Sequence, residues 1–109
     1  MKQLFLTLAL LWPVTVLADF SEGLAAVQRG DFATAMREWR PLAEAGDASA
    51  QYNLGVMYRE GKGVPKDDAE AVKWWRLAAA QGYAYAQTSL GMYDKGEGVP
   101  KDDAEAVKW

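Results

Sequence analysis

Few side chains in this 109-residue sequence are equipped for chemistry, and their spacing argues against a reaction. There is no Cys and no His, which removes thiol nucleophiles, imidazole bases, disulfides and the usual zinc ligands. Ser21, Ser49 and Ser89 remain as hydroxyl nucleophiles, but none has a Lys three residues on, as a Ser-x-x-Lys hydrolase requires. Two acidic pairs, Asp67-Asp68 and Asp102-Asp103, could hold a metal or act as acid and base. Adjacent carboxylates at a helix start are better explained by capping and by the positive end of the helix dipole. Gly61-x-Gly63 and Gly96-x-Gly98 could cradle a phosphate, yet the Lys-Ser/Thr ending of a P-loop is missing and no strand precedes them. These glycines are expected to take positive φ and to tuck Val64 and Val99 under a helix pair. No catalytic residue, cofactor or metal is therefore expected.

Composition and charge narrow the remaining classes. Half of the residues are apolar and a quarter charged, as in ordinary globular chains. The formal charge is -3 and Lys and Arg do not cluster, so the basic footprint of a nucleic-acid binder is absent. Residues 1–18 read as a secretory leader: Lys2, an apolar run from Leu4 to Leu11 broken only by Thr7, Pro13, and then Val16-Leu17-Ala18 before Asp19. The run falls short of the roughly 20 apolar residues that span a bilayer. Cleavage is expected after Ala18, which would leave the mature chain off the membrane, in the periplasm or outside the cell.

The elements that must position everything else repeat. Gly61 to Trp74 and Gly96 to Trp109 differ only at Lys62 and Glu97, at a spacing of 35. The match extends back through Leu54, Gly55, Met57 and Tyr58 onto Leu90, Gly91, Met92 and Tyr93 if one residue near Val56 is skipped, and Ala50-Gln51 recurs as Ala86-Gln87. A diverged copy lies upstream. A shift of 36 carries Asp31, Ala35, Trp39, Ala43, Gly46 and Ala50 onto Asp67, Ala71, Trp75, Ala79, Gly82 and Ala86.

The surviving residue types are those of a helix pair. Ala50, Leu54, Met57 and Tyr58 follow one helical face, as do Ala71, Trp74, Trp75 and Ala78. Asp31, Asp67 and Asp102 stand at helix starts, with Glu70 completing a capping box after Asp67. Gly46 and Gly82 stand where a helix closes in a left-handed conformation. Gly55 and Gly91 lie inside helices, where Gly costs about 1 kcal/mol relative to Ala. That cost predicts close approach of two axes, with Trp74 and Tyr58 filling the space beside them.

A helix-loop-helix period of this length marks the tetratricopeptide class of solenoids. The run Ala50 to Tyr58, then Gly61-Lys62-Gly63-Val64, Asp67, Ala71, Trp74, Ala78-Ala79 and Gly82, resembles the SEL-one-like repeat family, whose loop carries Gly-x-Gly-Val and whose second helix carries Ala-x-x-Trp and Ala-Ala. The resemblance implies an all-α, right-handed helix-pair solenoid of two to three repeats: a diverged pair at 19–47, a complete repeat at 48–82 and a second at 83–109 cut short in its closing helix. The upstream pair departs from the pattern. Glu38 stands where Trp74 would, Leu42 replaces Ala78, and Pro41 falls inside the helix, where a kink is expected.

The resemblance further implies an adaptor that holds another protein or a peptide in the bacterial-type envelope or secreted space. By tetratricopeptide geometry the first helix of each pair lines the groove, placing Tyr52, Asn53 and Val56, and one repeat later Thr88 and Ser89, on the binding surface. Tyr83 and Tyr85, like Tyr52, fall outside the main apolar stripe. Two alternatives stand beside this reading. One is a peptidoglycan-related hydrolase or β-lactam-binding enzyme, as linked to some cysteine-rich relatives. The other is self-association through the unfinished C-terminal helix, or a fragment of a longer repeat protein.

Overall fold

The computed structural model describes residues 18–94, and among these it contains five α-helices and no strand: α1 (Phe20–Gln28), α2 (Phe32–Glu44), α3 (Ala48–Glu60), α4 (Asp68–Ala80) and α5 (Ala84–Asp94). Each helix packs chiefly on the one before it and the one after it in the chain, the neighbour-only contact pattern of a solenoid. The expected leader, Val99, Asp102-Asp103 and the closing helix of the last repeat lie outside the described residues, Ala18 excepted.

Local chemistry sets the boundaries. Asp19, Asp31, Asp47 and Asp67 each stand at an N-cap and accept from backbone N–H groups of the first turn. The capping box at Asp67 forms in one direction only. Asp67 accepts from Glu70 N–H at 3.1 Å, but its own N–H donates to the Tyr58 carbonyl, and Glu70 turns to Lys73 at 3.4 Å. At the other ends, Gly46 and Gly82 adopt φ of +106° and +85°. This lets Asp47 N–H and Tyr83 N–H close back onto Leu42 and Ala78 carbonyls. Pro41 has no N–H to give Arg37, yet α2 runs through it to Glu44.

Two buried indoles hold the pairs together. A Cβ on Gly55 would fall 2.2 Å from Nε1 of Trp75, so only Gly lets this ring lie on the backbone of α3. The indole N–H then donates to the Tyr52 carbonyl at 3.1 Å. The upstream pair repeats the device: a Cβ on Gly23 would fall 2.1 Å from Nε1 of Trp39, which donates to the Phe20 carbonyl at 3.2 Å. The helical spacing predicts Trp74 for this space. The structure assigns it to Trp75, and sends Trp74 instead into the preceding cluster with Met36, Trp39, Leu54 and Met57. One residue along a helix is a rotation of about 100°, enough to put adjacent tryptophans into different interfaces. The upstream pair is thus a regular repeat with a connection four residues shorter. At the Trp74 position Glu38 accepts from Asp19 N–H at 3.0 Å.

The gapped alignment of α3 with α5 is also corrected. Buried positions Ala50, Leu54 and Met57 correspond to Ala86, Leu90 and Tyr93, a constant shift of 36, so nothing is skipped at Val56. Tyr93 takes the place of Met57, and Met92, exposed, that of the half-buried Val56. The shorter spacing arises after Tyr93. Burial pushes the Tyr93 phenol up from its ordinary range, and its hydroxyl donates to the Asp68 carbonyl at 2.9 Å.

Successive pairs are stitched by an amide. Gln51, 4% exposed, donates from Nε2 to the Ala43 carbonyl at 3.1 Å. Gln87 does the same to Ala79 at 3.3 Å. Gln81 adds bonds to Gly46 O and Gln51 Oε1, so the buried amide is satisfied on both sides.

Candidate protein-binding surface

Once the indoles, glycines and stitching amides are assigned to the scaffold, the residues of α3 left over include two that face α1. Asn53 and Val56 line a cleft of about 230 Å³, with Leu24 and Val27 of α1 opposite and Glu60 and Lys62 at its mouth. Leu24 is 43% exposed, so the apolar floor is open to solvent. Glu60 and Lys62 pair with each other at 3.2 Å, and the Lys62 ammonium sits 5.2 Å above the Phe32 ring. The rim charges are therefore already matched. The Asn53 side chain makes no hydrogen bond to any described residue, which leaves its carboxamide available to a ligand. A cleft of this kind suits an uncharged or apolar side chain with one amide contact.

The five residues expected to form one binding surface fall in three places. Asn53 and Val56 share the cleft. Tyr52 is half-buried on the other side of α3, its ring against Trp75 at 6.4 Å and against Tyr83 and Tyr85 at 5.5 and 5.9 Å. Thr88, exposed, and Ser89, half-buried, lie on α5 and do not line the cleft. The three tyrosines form a continuous platform, with Tyr83 and Tyr85 also 5.9 Å apart and Tyr85 68% exposed. Rings this close pack on one another, so there is no slot between them for a cation or a third ring.

Leu24 and Val27 were missed because the repeat shift of 36 does not reach them. A shift of 32, allowing for the short α1–α2 connection, brings Phe20, Gly23 and Leu24 onto Tyr52, Gly55 and Val56. Of the structural positions expected from the repeat, Leu54, Gly55, Ala71, Trp74, Ala78, Leu90 and Tyr93 are buried. Tyr58, Val64 and Gly91 are half-buried. Gly61 and Gly63 take φ of +69° and +78°, and Val64 packs against the first core cluster. Ser21, Ser49 and Ser89 make no side-chain hydrogen bond among the described residues. No helix among those residues is long and apolar enough to cross a membrane.

Comparison with known proteins gives these periodic features a family. A model described as the Sel1 repeat matches residues 48–83 and 84–109. An F-box protein of Arabidopsis thaliana is 36% identical over 78 residues, 72% of this chain and 22% of the relative. An exopolysaccharide production negative regulator of Rhizobium leguminosarum bv. viciae is 32% identical over 74 residues, 68% of this chain and 28% of the relative. Two solved structures superimpose well. One is c5321, a protective antigen of uropathogenic Escherichia coli described as displaying an SLR fold, with TM-score 0.71 and 42% identity over 83% of this chain and 20% of that one. The other is a Sel1 repeat protein from Oxalobacter formigenes, with TM-score 0.61 and 40% identity over 72% of this chain and 32% of that one. The chain spans less than a third of the length of each of these proteins.

Proposed function

Because the chain belongs to the Sel1 repeat family, whose members are protein-interaction adaptors, we propose that it is a non-enzymatic adaptor of the bacterial envelope or secreted space that grips an extended segment of a partner in the α1–α3 cleft. The carrying observation is the division of labour along α3. Leu54 and Gly55 are spent on packing and Gln51 on stitching, whereas Asn53 and Val56 face an open apolar cleft whose rim charges are internally paired. Aromatic, apolar and amide groups without net charge favour peptide backbone and apolar side chains over charged ligands. Export rests on the leader-like residues 1–18. It is checked by N-terminal sequencing of the protein recovered from a periplasmic extract, which should begin at Asp19.

Site-specific photo-crosslinking tests the binding role. A benzophenone side chain at Asn53 should capture a discrete partner from envelope extracts, while the same group at the exposed Ala80 should not. Equal capture at both positions, or none at Asn53, would remove the cleft from the function. The enzyme alternative is tested by a fluorescent penicillin: covalent labelling of Ser21, Ser49 or Ser89 would replace the adaptor reading with an acylating enzyme.

A further inference from the structure

The outer face of α2 carries a second cleft, of about 400 Å³, which the adaptor reading leaves without a role. Its apolar floor is made by Met36, Pro41 and Val64, and Arg37, Arg40 and Glu44 stand around it. Arg40 is preorganised, for its guanidinium donates to the Tyr58 hydroxyl and lies 5.8 Å from that ring's centroid. Arg37 is exposed and donates only to Thr34 Oγ1, at 3.3 Å. Neither arginine forms an ion pair with a carboxylate among the described residues, Glu44 included.

The next repeat shows what is missing. Shifted by 36, Arg37 and Arg40 correspond to Lys73 and Arg76, Pro41 to Leu77, and Thr34 to Glu70. In α4 the cation at this position is neutralised from within, Lys73 pairing with Glu70 at 3.4 Å. In α2 the internal carboxylate is replaced by the Thr34 hydroxyl, and Arg37 has no ion-pair partner among the described residues.

We propose that this cleft is a second docking site, for an acidic segment of a partner protein. Arg37 and Arg40 hold one carboxylate, and the apolar side chain next to it rests on Met36, Pro41 and Val64. Guanidinium donors bind carboxylates through short charge-assisted bonds. The chain's net charge of -3 does not forbid this, because charges beyond a Debye length of about 8 Å at physiological salt are screened. The inference rests on the adaptor reading but uses a different face from the α1–α3 cleft.

The test titrates the isotope-labelled full chain with three capped tripeptides and follows backbone amide resonances. Acetyl-Leu-Glu-Leu-amide should shift amides of residues 33–44 and Val64, and high salt should weaken the effect. Acetyl-Leu-Gln-Leu-amide should not bind, and acetyl-Leu-Leu-Leu with a free carboxylate separates a terminal from a side-chain acid. Thr34→Glu copies the α4 arrangement with both arginines retained. Both it and Arg37→Glu should weaken binding at least about tenfold while circular dichroism stays unchanged. Equal binding of the glutamine peptide, undiminished binding by Thr34→Glu, or no shift at millimolar peptide overturns the proposal. Shifts confined to Leu24, Asn53 and Val56 also overturn it but leave the adaptor reading standing, whereas failure of the Asn53 crosslink removes that reading independently.

Discussion

The helix pairs α1–α2 and α3–α4 agree in the contacts that join their two helices and differ in the connection between them and in several positions around it. Both lay an indole on a glycine and return its N–H to a carbonyl three residues earlier. Both begin the second helix on a capping Asp and end it on a glycine of positive φ. Outside this frame the first pair has a connection four residues shorter, Glu38 in place of Trp74, and Thr34 and Pro41 in place of Glu70 and Leu77. The constant set satisfies close packing and buried hydrogen bonding, which tolerate little change. Of the variable set, Pro41 lines the α2 cleft and Thr34 sits beside it as the partner of Arg37, where a change of residue can alter what is bound without unfolding the pair.

The sharpest way to break the comparison is to remove an indole. Trp75→Ala should cost about 3–5 kcal/mol, the range for deleting a large buried aromatic, measured as the fall in urea unfolding free energy. Trp39→Ala should approach the same cost if the first pair is an equal repeat.

Next in size is a glycine contrast between α3 and α5. Gly55→Ala drives a methyl into the Trp75 indole and should destabilise by about 1–3 kcal/mol through overpacking. At Gly91 no described atom lies within 4 Å of a Cβ, so Gly91→Ala should gain up to about 1 kcal/mol of helix propensity. Paired thermal melts check the opposite signs.

A smaller difference separates the adjacent tryptophans. Trp75 Nε1 donates to Tyr52 O, whereas Trp74 Nε1 is buried with no partner among the described residues. Trp75→Phe should therefore cost about 1 kcal/mol more than Trp74→Phe, as read by chemical denaturation of the two variants.

The smallest expected effect is a pH dependence at the α2 cap. Hydrogen bonding by the Thr34 side chain, and then by its N–H, holds the Asp31 carboxyl below its usual range. A carboxyl with a depressed folded value stabilises above its unfolded value, and that stabilisation is lost as pH falls through the folded one. Acid titration should loosen the first pair, seen as a Trp39 fluorescence change, and Asp31→Asn should abolish that component.

Much of the scaffold is legible in the sequence because it rests on short-range rules. Asp31 and Asp67 cap the helices expected of them, Gly46 and Gly82 close them, and Leu54, Ala71 and Ala78 are buried at helical spacing. Legibility fails where two answers satisfy the same period. Met92-Tyr93 matches Met57-Tyr58 by residue type but not by helical angle. Trp74 and Trp75 are equally apolar, and Gln51 beside Ala50 looks like a surface amide until Ala43 lies against it.

Residue order alone was enough to determine that this chain forms capped amphipathic helices in a repeating pair, because capping, glycine closure and apolar periodicity act over a few residues. Which tryptophan meets which glycine, that Leu24 and Val56 share one cleft, and that Thr34 leaves Arg37 without the carboxylate its counterpart has, were decided only by the tertiary structure. Those outcomes depend on the rotation and approach of one helix against the next, which many distant contacts settle together.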